Sequence, residues 1–101
     1  MRPVLPGDLD AASRRLIGAD TAQCPAAVAG LLRMAHAADK YRKRFGRCHP
    51  GWGNGSLLMA AWTAGLPDAR PGDSDYLIAL RHVTQGILDW RAERPCRRNA
   101  R

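Results

Sequence analysis

Two apolar rows with helical spacing constrain this chain more than any other feature. Leu31, Met34, Ala38, Tyr41 and Phe45 step by three, four, three and four residues; Tyr76, Leu80, Val83, Ile87 and Trp90 step by four, three, four and three. Residues three and four apart share one face of an α-helix, so each row is a seam that has to be buried against something. No segment alternates polar and apolar residues for long enough to make a half-buried strand. Alanine supplies much of the 46% hydrophobic content and aromatics only 6%, which favours close-packed helices over packed sheets.

Turn and cap residues bound these segments. Pro6-Gly7 followed by Asp8, an N-cap candidate, predicts a first helix of about eight or nine residues ending near Gly18. Pro25 suits the first turn of a long helix, and Gly46 its end, with basic side chains before it where the helix dipole favours them. Asn54 or Ser56 caps a short helix that Gly65 stops, and Asp73, Ser74 and Asp75 open a second long helix that Pro95 ends. The expectation is an all-α, small four-helix domain over 1–94, with two long amphipathic helices and two short ones joined by Gly/Pro-rich loops, and a flexible basic tail over 95–101. The long helices should pack on each other with the short helix 56–64 wedged between them. The resulting core is thin, which leaves surface for self-association.

Charge is the second constraint. Sixteen Lys and Arg against nine Asp and Glu give a formal charge of +7, which points to an anionic partner, nucleic acid first and an acidic protein surface second. The positive charge is patterned. Counted at about 100° per residue, Arg33, His36, Lys40, Lys43, Arg44 and Arg47 gather on the side of their helix away from the first seam. Arg97, Arg98 and Arg101 would add a basic arm. A solvated charged face is the ordinary explanation of such a row, but surface rows are usually mixed in sign and this one is almost purely positive. Phosphate contacts need no more than that, and they carry no sequence preference by themselves.

Catalytic arrangements are poorly supported. His36, His49 and His82 have no nucleophile motif near them, Glu93 is the one glutamate, and the aspartates fall mostly at caps and loops. His36 reads as a solvated or phosphate-facing residue, His82 as surface, and His49 as a structural hydrogen-bonding residue. The cysteines Cys24, Cys48 and Cys96 form no CxxC pair, so neither a disulfide framework nor a metal site is expected. A small enzyme built on Cys48 and His49 would need a reactive thiol at Cys48. No cofactor is called for, no stretch is apolar enough to span a membrane, and a cytoplasmic, non-enzymatic protein is the expectation.

The stretch RCHPGWGNGSLLMAAW opens a helix with glycines, as phosphate-binding loops do, but its spacing is neither a Walker A motif nor GxGxxG. It reads better as a rigid connector: glycines for the turns, Asn54 or Ser56 as a cap, and Trp52 folded back onto the core as an anchor. Its amides could also touch a phosphate beside Arg47.

The run ADKYRKRFGRCHPGWGNGSLLMAA, with MRPVLPGD at the start and DSDY later, resembles a family of small alphaproteobacterial proteins associated with the phage-like packaging clusters of gene transfer agents. The resemblance covers most of the chain. It implies a small terminase subunit, a helical oligomer that holds DNA with little sequence selection and presents it to a large terminase subunit. It assigns no role to any individual residue. Weak, sequence-independent DNA binding in packaging is therefore the function expected, with an adaptor for an acidic protein partner as the alternative.

Overall fold

Pro6 and Pro25 stand at the starts of the first two helices, where a missing N–H costs nothing. Helix α1 spans Pro6–Leu16, and a 3-10 turn at Thr21–Gln23 leads into α2, Cys24–Phe45; α3 is Leu57–Ala61 and α4 is Ser74–Glu93. The computed structural model describes residues 2–62 and 66–93, so Arg97, Arg98 and Arg101 of the expected basic arm lie outside the described residues. Among these there is no strand, only an isolated bridge between His49 and Gly53. The fold is an all-α four-helix domain.

Helix α1 begins two residues before Asp8. Leu5 is its N-cap residue, and Asp8, inside the first turn, reaches back so that its Oδ2 accepts the Leu5 N–H at 2.7 Å. Asp8 thus stabilises the helix start from within the first turn and is not the cap itself. At the other end of the chain, Asp73 precedes α4 and its carboxylate accepts the Arg70 N–H at 3.1 Å.

The core forms where α1 packs on α4 and α3, and where α2 packs on α4 and α3. Leu32, Leu57, Val28 and Val83 are its largest completely buried apolar side chains. Helix α3 is not wedged between the two long helices, as the sequence suggested. It lies against α1 and α2, while α1 and α2 occupy α4. A helix of five residues is too short to reach across that core.

The α4 seam is buried much as its spacing requires: Tyr76, Val83 and Ile87 are buried and Leu80 and Trp90 half-buried. Helix α2 differs. Its buried row is Cys24, Val28, Leu31, Leu32, Ala35, Ala38 and Asp39, rotated by roughly 80° from the expected seam at 100° per residue. Leu31 and Ala38 belong to both rows, Met34 and Tyr41 are half-buried, and Phe45 is exposed. The rotation brings Val28 against Gly86 of α4, where a Cβ would collide with the valine side chain. Glycine is what permits the two long helices to approach so closely there.

Tyr76 ties α4 to α1. Its hydroxyl donates to Asp10 Oδ1 at 2.8 Å, and the other oxygen of Asp10 meets Arg14 Nε at 3.2 Å. Burial, then the hydrogen bond to the Asp10 carboxylate, push the Tyr76 phenol above its ordinary value of 10.0.

Candidate nucleic-acid interface

The last turns of α2 and the loop after it form one surface. Gly46 closes the helix, its N–H bonding to the Arg42 carbonyl at 2.8 Å. The loop then doubles back: His49 and Gly53 exchange backbone hydrogen bonds of 2.8 and 3.1 Å. The His49 side chain supports the same turn, since Nδ1 accepts the N–H groups of Gly51 and Trp52, each at 3.0 Å. That leaves the ring proton on Nε2. Asn54 Oδ1 accepts the Ser56 N–H at 3.0 Å, and Ser56 Oγ accepts the Met59 N–H at 3.2 Å, which starts α3. From His49 to Asn54 and Ser56 the connector is held mainly by bonds to neighbours a few positions away.

Gly55 presses the loop onto α2. Its φ is +95°, and a Cβ there would fall 2.7 Å from the Asp39 Cα. Beneath it Asp39 is only 3% exposed, and its carboxylate meets Lys43 Nζ at 3.1 Å. Burial by itself would raise the Asp39 carboxyl. The hydrogen bond from Lys43 leads the opposing influences, and the net effect is a carboxyl below its ordinary value of 3.8. Lys43 is therefore committed to a structural pairing.

Arg33, Lys40, Arg44 and Arg47, expected on the basic face, are exposed, as is Arg42 nearby. No ion pair among the described residues engages these five. Lys and Arg in the final turn complement the helix dipole, which accounts for Arg42, Lys43 and Arg44 but not for Arg33, Lys40 or Arg47.

His36 departs from the expected face. It is half-buried, with its ring edge-on to Trp90 of α4 at 5.5 Å, so it belongs to the helix contact and not to the solvated row. The reason is angular: His36 lies at the border of the rotated core row. His82 is not a surface residue either. It is half-buried, and its Nε2 is buried without a hydrogen-bond partner among the described residues, beside a cleft of about 240 Å³ between α2 and α4.

Trp52 is the clearest correction. It does not anchor the loop in the core but stacks on His49, centroids 4.7 Å apart and planes 12° from parallel, with 37% of the residue exposed. His49 in turn stands edge-on to Tyr41 at 5.0 Å, and Tyr41 leans on Phe45 at 4.6 Å. The Arg44 guanidinium lies 5.6 Å from the centre of the Phe45 ring. Sequence reasoning missed this row because it assigned Tyr41 and Phe45 to the core and His49 to the loop alone. Cys48, at the loop's start, is an exposed free thiol.

A family model described as a domain of unknown function, DUF7742, matches residues 2–87. The chain belongs to that family. No curated protein and no solved structure matches it. The matched region contains all of α1, α2 and α3 and most of α4, so the basic end of α2 and the connector lie inside the family domain. Among the described residues no helix is long and apolar enough to cross a membrane, and no group of His, Cys, Asp and Glu is placed to hold a metal ion.

Proposed function

We propose that this protein is a non-enzymatic nucleic-acid-binding domain. In this reading it contacts phosphates without sequence preference through the C-terminal half of α2 and the start of the following loop. One observation carries the reading: Lys40, Arg42, Arg44 and Arg47 stand exposed within eight positions of the chain, and none is paired with a carboxylate among the described residues. Side chains of one sign, held on a helix end and a braced loop, can exchange condensed counterions for a phosphate backbone at little ordering cost. Lys43 contributes less, because it already neutralises Asp39.

The likeness to packaging-cluster proteins supplies a setting for such a domain, in which copies of it would hold DNA and present it to a large terminase subunit. The test is direct. Replacing Lys40, Arg44 and Arg47 with alanine should weaken binding to nucleic acid and flatten its salt dependence while helicity stays native. Tight, stoichiometric capture of an acidic protein by the same residues, with no uptake of nucleic acid, would favour the adaptor instead.

A further inference from the structure

The charged row explains attraction to phosphates, but not why two aromatic rings stand in solvent beside it. Phe45, Tyr41, His49 and Trp52 form a continuous row of rings, with successive centroids 4.6, 5.0 and 4.7 Å apart. The two inner rings are half-buried, and their contacts brace the loop against α2. The two end rings are 53% and 37% exposed at Phe45 and Trp52, and bracing alone gives no reason for that. Cations flank the row. Arg44 lies over Phe45, and at about 100° per residue Tyr41 and Phe45 fall between Arg44 on one side and Arg42 on the other. Arg47 lies on the chain between Phe45 and Trp52.

We infer that this row is a base-stacking platform and that the preferred ligand of the basic face is single-stranded nucleic acid. The inference rests on the proposed nucleic-acid binding and narrows its substrate. Exposed aromatic faces beside a cationic track are how proteins hold single strands without reading sequence, because every base offers a π-face while the cations follow the backbone. A duplex keeps its bases stacked inside and offers these rings nothing but its edges and backbone. The ring row is also rigid. His49 is fixed by two backbone N–H donors and Trp52 is stacked on His49, so little freedom is lost when a base settles on Trp52.

The full chain should be titrated with oligothymidylate and with a duplex of the same length, at low and at physiological salt. The wild-type protein, Trp52→Ala, Phe45→Ala and the triple variant of Lys40, Arg44 and Arg47 to alanine would be compared, each with its circular dichroism recorded. The inference requires the single strand to bind more tightly than the duplex. Either aromatic replacement should cost about tenfold in single-strand affinity and leave the duplex nearly unchanged. Phe45→Ala removes an exposed ring from a helix end, so it stays informative even if Trp52→Ala loosens the loop, and Trp52→Phe should recover most of the binding. Equal affinity for both ligands, or single-strand affinity indifferent to Phe45→Ala in a folded protein, would overturn the platform; loss of both in the triple variant would leave the basic face standing. No binding of either nucleic acid at low salt would overturn both.

Discussion

The Asp8 carboxylate and the Leu58 backbone N–H, fifty residues apart in the chain, meet at 2.8 Å. The other oxygen of Asp8 accepts the Leu5 N–H, so one buried carboxylate serves the first turns of both α1 and α3. Helix starts leave N–H groups unsatisfied, and a helix of five residues is too short to persist without such tertiary support. Replacing Asp8 with alanine should therefore cost about 3 kcal/mol in denaturant unfolding, and Asp8→Asn less, because the amide keeps one acceptor oxygen. A loss within about 0.5 kcal/mol for Asp8→Ala would show that water replaces both bonds without penalty.

Gly86 and Val28 set the approach of α2 and α4. A methyl group on Gly86 has nowhere to go without displacing Val28, so Gly86→Ala should destabilise the fold by about 1–3 kcal/mol despite alanine's better helix propensity. Val28→Ala alone leaves a cavity, but the double variant should recover part of the loss, giving a coupling of at least about 0.5 kcal/mol. Strict additivity in a double-mutant cycle would contradict the close crossing.

Tyr76 makes stability sensitive to alkali. Its folded-state ionisation is raised above 10.0 by burial and by Asp10, so its contribution is complete below pH 10.0. The contribution is then lost as pH rises from there through the folded value. Stability measured across that window should fall more steeply in the wild-type protein than in Tyr76→Phe, and the tyrosine absorbance titration should show a late phenol that Tyr76→Phe removes. Parallel stability curves for the two proteins would remove Tyr76 from the account.

The helices themselves were legible in the sequence because apolar spacing or end residues marked them: Gly46 ends α2, Ser56 caps α3, and the Tyr76–Ile87 row is buried as its spacing demands, although Asp8 lies inside the first turn of α1 and does not cap it. The orientation of α2 was not. Val28, Leu32, Ala35 and Asp39 form a row as regular as the expected seam, but one that ends on a carboxylate. Only the fold shows that Lys43 neutralises Asp39 and that Gly55 covers it. The same misorientation concealed the exposed face of Phe45. Trp52 was misplaced for a different reason, since a large ring in a glycine-rich loop is a natural anchor and its partner, His49, lies only three residues away. Of the candidate contact residues, Arg33, Lys40 and Arg44 stand exposed on α2 where helical counting put them and Arg47 is exposed in the loop beyond the helix end, whereas His36 packs on Trp90.

The most direct test of the central claim is the affinity of the full chain for nucleic acid as a function of salt, measured for the wild-type protein and for the triple alanine variant of Lys40, Arg44 and Arg47. Log affinity should fall linearly with log salt, and the variant, with native helicity, should bind more weakly with a slope smaller by about one for each phosphate contact removed. Binding that is absent at low salt, or that is identical in the two proteins, would contradict it.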